Sequence, residues 1–441
     1  MTHALSLSVD GDRLTRWIDE LAAFSEAPPP AVTRVLFSDV DLAARAWVRR
    51  LFEDEGLCVR VDAVGNMFAR WPADSDGPDS DGADGAAPAA APAVATGSHI
   101  DAIPNAGRYD GTIGVLGAIE AFSTLRRAGF RPSRSLEIVL FTAEEPTRFG
   151  LGCLGSRLLS GSLSADRASA LTDPEGRSLD ALRARAGLAD VEGRRLSTVR
   201  LARDHYAAFV ELHIEQGPLL ERDGIPIGIV EAIAGPSSYR LRLSGEGGHA
   251  GAVLMSDRHD AGLAGAEIAL AVERAARNSG SPDTVGTTGV FRQSPDAINS
   301  IPCDALLEID FRDTRIDTRA AAWAQVEAAI AEICARRGVR WTIETLNADA
   351  PATCAPAIVD TIAGVCADLG VTARRMVSRA YHDSLFMAQV CPTTMIFVPC
   401  RGGVSHRPDE YSSPEQMATG VTVLAHTLAR LAGSAREATR R

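Results

Sequence analysis

Lysine is missing from this chain: all 45 basic residues among its 441 positions are arginine. A GC-rich genome explains the bias without any selected role. The chemical consequence stands either way, because Schiff-base, pyridoxal and P-loop chemistry each require a lysine amine and are therefore excluded. No stretch of about 18 consecutive apolar residues occurs, which removes a membrane span and with it a membrane partner. The N-terminal MTHALSLSVDGDRLTRW lacks a basic stretch followed by an apolar one, so no secretory signal is expected. Basic charge is in deficit, since 57 acidic residues against 45 basic leave a net charge of −12. A broadly acidic chain repels phosphate backbones, so no nucleic-acid partner is expected. Cysteine spacing of the CxxC kind is absent as well. The eight cysteines, at 58, 153, 303, 334, 354, 366, 391 and 400, read as buried free thiols in a reducing cytoplasm, because a chain this long needs no disulfide staples.

What is present describes a soluble globular protein, 46% hydrophobic and 23% charged, with length for two or three domains. Residues 31–56 have the periodicity of an amphipathic helix, and 57–70 read as a hairpin turning at Gly65-Asn66. From 73 to 92 the chain is Asp, Gly, Ala and Pro with almost nothing to bury, a flexible surface loop with no function assigned to it. Four apolar, strand-like segments each run into a polar cluster: 93–96 into GSHID, 136–142 into AEE, 208–212 into HIEQG, and 394–399 into CRGGVSH. A helical pattern over 111–128 separates the first two. Strands alternating with helices predict an open α/β sheet, whose sites collect beyond the carboxyl ends of the strands.

The rhythm changes between about 235 and 347. Strands over 239–244, 284–293, 305–313 and 339–346 alternate with helices over 257–278 and 318–337, in the order βαββαβ. That is the split-βαβ, ferredoxin-like plan. The expected architecture is therefore an open mixed-sheet α/β domain, 1–234 and 348–441, with an inserted ferredoxin-like α+β domain over 235–347 and a closing helix after Ser413-Pro414.

Only nine histidines occur. His3, His205 and His426 read as structural, and His259, beside Arg258 and Asp260, as exposed. The other five, His99, His213, His249, His382 and His406, sit in polar clusters. Singly each has a bland explanation. Together, His99, His213, His406 and the carboxylates Asp110, Glu144 and Glu145 all fall where sheet strands end, and imidazole plus carboxylate is a borderline-to-hard ligand set. It suits two divalent ions about 3.5–4 Å apart, bridged by one carboxylate. Asp101 can hold the ring of His99, and the glycine after Asp110 lets the backbone crowd close to an ion. Of the Glu144-Glu145 pair, one can bind metal while the other stays free as a base.

The ordered strings GSHIDAIPNAGRYDG, FTAEEPTRFGLGCLGSR, ELHIEQGPLLE, GGHAGAVLM, NSIP…EIDFR and SRAYHDSLFMA…MIFVPCRGGVSHRPDEYSSPE resemble the carbamoylase and allantoate amidohydrolase branch of the di-metal aminoacylase/carboxypeptidase family, from about residue 35 to 430. EEPTRFG, HAGAVLM and AYHDSLFMA are most similar to branch members that act on ureidoglycolate. Ala143 stands where Asp is common before the glutamate pair, and Leu254 where Pro is common after the histidine of GGHAG, His249. The resemblance implies a cytoplasmic hydrolase of linear amide bonds that releases ammonia, carbon dioxide and glyoxylate. It also implies two divalent ions per subunit, Mn or Zn with Ni or Co open, and a homodimer formed through the inserted lid. N-carbamoyl-L-amino acids and allantoate remain alternative substrates, a dipeptidase is more distant, and a catalytically silent metal-binding scaffold is the alternative of another class.

By motif, the resemblance puts His99 and His213 on one ion, Glu145 and His406 on the other, and Asp110 on both. Glu144 would be the general base and His249, from the partner's lid, the oxyanion donor. Gln216, Asn299, Arg312, Tyr381 and His382 would contact the ureido acid. For Arg312 an ordinary ion pair with Asp310 or Asp313 is the alternative, and for Tyr381-His382 simple loop packing. A ureido carbonyl is a poor electrophile because two nitrogens donate into it; two cations can polarise it and supply hydroxide near neutral pH.

Overall fold

The computed structural model describes residues 6–73, 91–188 and 195–433. His3 and nearly all of the 73–92 stretch lie outside them. The chain divides into two compact units, Met1–Glu231 with Cys354–Met376 and His382–Arg441, and Ala232–Thr353 with Val377–Tyr381.

In the first unit four parallel strands lie side by side in the order Thr393–Val398, Tyr206–Ile214, Ala93–Ser98, Leu136–Leu140. Antiparallel strands flank them, Ile227–Ile233 on one side, Met67–Trp71 and then Cys58–Val61 on the other. Ala93–Ser98, Leu136–Leu140 and Thr393–Val398 are buried at every residue, which is why they read as unbroken apolar runs rather than alternating ones. Helix Thr112–Arg127, buried from Thr112 to Leu125, covers part of the sheet, and Pro414–Ala432 packs on it behind a Ser413/Gln416 capping box. Parallel strands end on the same edge of a sheet. His99, the Glu144-Glu145 pair and the loop to His406 follow three of these ends, and His213 is the penultimate residue of the fourth strand.

The hairpin turns at Asp62–Asn66, where the Asp62 carboxylate accepts the N–H groups of Val64, Gly65 and Asn66. The single helix expected over 31–56 is instead a short strand, Val32–Arg34, and a helix, Asp39–Asp54, capped by Ser38. Arg34 explains the break. Its guanidinium is buried and donates to the carbonyls of Leu21, Phe24 and Ile100 at 2.7, 2.9 and 2.6 Å, a task that holds the segment extended beside the His99 loop.

The second unit has the antiparallel strand order Val285–Ser294, Asp304–Asp313, Gly235–Ser244, Arg340–Ala348, as the ferredoxin-like plan requires. Its core joins Leu241, Leu307, Ile309 and Phe311 of the sheet to Ile268, Val326 and Ile330 of helices Ala261–Arg277 and Ile316–Arg337. Trp323 stacks on Tyr239 with ring centroids 3.5 Å apart. The first helix begins at Ala261 rather than 257, because Asp260 caps it through the Leu263 N–H. His259 lies before the helix, half-buried, with its ring nitrogen Nδ1 2.9 Å from the Arg337 carbonyl. Among the cysteines, all free, Cys58 is exposed and Cys303 half-buried, and the other six are buried as expected.

Gly97 shows how tightly the central strands are set. With φ +152° it approaches Leu136–Leu140 so closely that a Cβ would lie 1.9 Å from the Val139 carbonyl oxygen. Gly97→Ala is expected to destabilise the protein by about 3 kcal/mol or more, against about 1 kcal/mol for Gly129→Ala, where φ is +70° but nothing lies within 4 Å. Thermal unfolding of the two variants, followed by circular dichroism, checks the contrast.

Candidate metal centre

At the carboxyl edge of the parallel strands, three imidazoles converge on one buried carboxylate. Asp110 Oδ1 lies 3.2 Å from His213 Nε2 and 3.7 Å from His99 Nε2, while Oδ2 lies 3.2 Å from His406 Nε2. His406 Nε2 is also 3.4 Å from Glu145 Oε1. Two ligand groups contain Asp110, His99–Asp110–His213 and Asp110–Glu145–His406, each with its donor atoms within 4.8 Å of one another, and Glu211–His213–His382 forms a further such group without Asp110. Asp110 is the shared member, and each of its oxygens faces a different group. Glu144 belongs to neither, although its Oε2 stands 3.7 Å from His99 Nε2.

Local structure aims these donors. His99 Nδ1 lies 3.1 Å from the Asp101 carbonyl and His213 Nδ1 2.9 Å from the Ile214 carbonyl, contacts that leave each Nε2 facing Asp110. The Asp101 carboxylate stands beside the same ring nitrogen at 3.6 Å and helps to hold the proton on His99. It also accepts the backbone N–H groups of Glu144 at 3.3 Å and Glu145 at 3.0 Å, fixing the glutamate pair. Gly111 has φ +66°, and a Cβ there would sit 2.4 Å from His99 Nε2. Ala143, Cys153, Gln216 and His406 all have positive φ, a concentration of uncommon backbone conformations around one site.

The charges are mutually dependent. Burial alone would raise the pKa of Asp110, but hydrogen bonds from His213, His406 and His99 hold it well below the usual carboxylate range. The Asp110 hydrogen bond raises His406 to about 9. Burial and the neighbouring Asp110 push Glu145 up to about 8. Burial pushes Glu144 up as well, against the pull of His99. Crowded carboxylates that resist ionisation and imidazoles that retain protons form a pocket short of positive charge, and this donor set without sulfur fits divalent cations.

The remaining residues singled out by sequence occupy varied positions. Gln216 donates to Asp110 Oδ2 at 2.7 Å, so it touches the shared carboxylate itself. His382 is buried against the His213 ring, with centroids 4.4 Å apart, in a packing position rather than an open one. In the second unit, Arg312 pairs through two nitrogens with Asp310 at 2.5 and 3.1 Å and lies over the Tyr381 ring. His249 and Asn299 are both exposed: His249 ends the short strand Gly248–His249, which pairs with Ser300–Ile301, and the Ala250 N–H donates to the Asn299 carbonyl. Sequence reasoning missed a second tier. Glu211, fully buried, accepts from Ser98 and Ser384, and its position two residues before His213 on one strand places both on the same face. Asp383 accepts from Ser156, and Glu410 from Ser405, Tyr109 and Asp110.

Comparison with known proteins shows the family. A family model described as peptidase family M20/M25/M40 matches residues 95–430. Ureidoglycolate hydrolase of Arabidopsis thaliana is 51% identical over 97% of this chain and 88% of its own length. An N-carbamoyl-L-amino acid amidohydrolase of Geobacillus stearothermophilus is 36% identical over 96% of this chain and 99% of its own. The crystal structure of AtUAH in complex with (S)-hydroxyglycine superposes with a TM-score of 0.86 at 50% identity, covering 97% of this chain and 99% of that one.

Metal binding should release protons. His406, near 9, and Glu145, near 8, hold protons at pH 7 that a ligand must lose. Affinity for Mn²⁺ is expected to rise as pH increases from 6 to 8. Calorimetric enthalpies should shift with buffer ionisation enthalpy in the sense of net proton release, and buffer-independent enthalpies would contradict the assignment.

Proposed function

The chain belongs to peptidase family M20/M25/M40, and from that premise we propose that it is a metal-dependent amidohydrolase that cleaves the ureido group of ureidoglycolate to ammonia, carbon dioxide and glyoxylate. The observation that carries the reaction class is the Asp110 carboxylate set between two ligand groups. The substrate rests on the likeness to two plant ureidoglycolate hydrolases, 51% and 50% identical.

His99 and His213 would hold one divalent ion, Glu145 and His406 a second, and Asp110 both, with Mn favoured and Zn next. Ions bound there would polarise the ureido oxygen and acidify water near neutral pH. Glu144, beside the ligand groups but outside them, takes the proton of the attacking water and returns it to the leaving nitrogen. His249 donates a hydrogen bond to the oxygen on which negative charge develops. Arg312 presents a planar fork to the substrate carboxylate, pre-set by Asp310 and the Tyr381 ring, and Asn299 adds a polar contact. Gln216, which holds Asp110, and His382, packed on His213, act from beside the ligands.

The inserted unit serves as lid and as the surface of a homodimer. All the large apolar residues that are exposed among the described residues lie in it, including Leu263 and Leu270, seven apart on one helix, and Val285 and Phe291 on the edge strand. Such a face on a water-soluble unit fits pairing with a second copy. No described helix is long and apolar enough to cross a membrane. Free thiols throughout fit a reducing cytoplasm.

Glu144→Gln is expected to retain both metals and lower the rate of ammonia release from ureidoglycolate by at least about 100-fold. Metal content by mass spectrometry and ammonia by a coupled assay check it together, and turnover near the parent rate would remove Glu144 as the base. Arg312→Lys should raise KM about tenfold with kcat little changed, since the charge remains while the fork is lost. An unchanged KM would reduce Arg312 to the partner of Asp310.

A further inference from the structure

Glu410 is a buried carboxylate that the proposed chemistry does not use. It sits four residues beyond His406 in the same loop, yet its side chain crosses to the loop that carries Asp110. Oε1 accepts the backbone N–H of Tyr109 at 2.8 Å and of Asp110 at 3.1 Å. Oε2 accepts the Ser405 hydroxyl at 2.8 Å, and that hydroxyl oxygen is also 2.9 Å from Asp110 Oδ2. Ser405 has a single proton to share between two carboxylates, so Glu410, Ser405 and Asp110 are placed by one another. The neighbouring chain makes room for this arrangement. A Cβ at Gly107 would lie 2.3 Å from the Glu410 Cβ and 2.4 Å from Oε1, so glycine at 107 is what admits the side chain.

These contacts join two ligand-bearing loops that are about 300 residues apart in sequence. We propose that Glu410 is a positioning residue that locks Asp110 against His406 and thereby sets the affinity of the Asp110–Glu145–His406 group for its ion. Its effect on the His99–Asp110–His213 group is smaller, because His99 and His213 are held by the carbonyls of Asp101 and Ile214, whereas the Glu410 hydrogen bonds go to Tyr109, Asp110 and Ser405. The inference rests on the two-ion reading above. It adds that the second ion depends on a residue that does not ligate it.

The test is stepwise Mn²⁺ binding to the full-length, chelator-stripped protein, followed by calorimetry and by electron paramagnetic resonance. The parent should bind two ions and give the spectrum of an exchange-coupled pair. Fewer than two in the parent would defeat the two-ion reading itself. Glu410→Ala should weaken one of the two binding steps by about 10–100-fold and remove the coupled spectrum at limiting Mn²⁺. Glu410→Gln, which keeps an acceptor for the two N–H groups, should recover most of the loss. Ser405→Ala, a small change that leaves the backbone contacts intact, should weaken the same step several-fold. Parent-like stepwise constants in both Glu410→Gln and Ser405→Ala, with a folded Glu410→Ala also parent-like or with that variant unfolded, would overturn the proposal.

Discussion

The structure is organised around one unfavourable arrangement: a buried carboxylate, Asp110, surrounded by three imidazole nitrogens at 3.2–3.7 Å and two further buried carboxylates. Such a cluster repels itself unless positive charge is supplied, by protons on the histidines or by cations. Its surroundings oppose relaxation. Arg34 grips the Ile100 carbonyl between His99 and Asp101, Asp101 holds the N–H groups of Glu144 and Glu145, and Glu410 holds those of Tyr109 and Asp110. Each of these side chains bonds to backbone, so the loops are tied down by side-chain-to-backbone hydrogen bonds from residues distant in sequence.

The sheet supplies the frame for this cluster. Four adjacent parallel strands deliver their ends to one edge, and buried strands cannot slide without flipping every side chain to the opposite face. Beyond the strand ends the backbone leaves ordinary conformations at Ala143, Gln216 and His406, which lets short loops turn their functional side chains back over the edge. Rigidity in the strands and strain in the loops are two parts of one solution to placing six side chains within a few ångströms.

How much of this is legible in the sequence depends on the range of the interaction. The parallel strands and the polar clusters at their ends are local patterns, and His99, Asp110, Glu145, His213 and His406 meet because the clusters share an edge. The βαββαβ order of the inserted unit is equally visible, since strand and helix periods differ. The break at Arg34 is not, because an arginine that donates to three buried carbonyls looks in sequence like any polar residue on a helix face. Asp101 is only half legible for a similar reason. Proximity in HID places the carboxylate beside the ring, at 3.6 Å, but does not show that the backbone carbonyl stands closer, at 3.1 Å, or that the carboxylate also reaches the N–H groups of Glu144 and Glu145, more than 40 residues away. Glu410 leaves no local signal, since its partners lie about 300 positions earlier.

A metal-dependent hydrolase of ureido acids should discriminate by the group attached to the ureido nitrogen. The most direct measurement is ammonia release by the Mn-loaded protein offered ureidoglycolate, allantoate and N-carbamoyl-L-amino acids in parallel. The account predicts a kcat/KM for ureidoglycolate well above the others. A higher value for a carbamoyl amino acid or allantoate would contradict the substrate while leaving the metal centre in place, and no ammonia from any of them would contradict the enzyme itself.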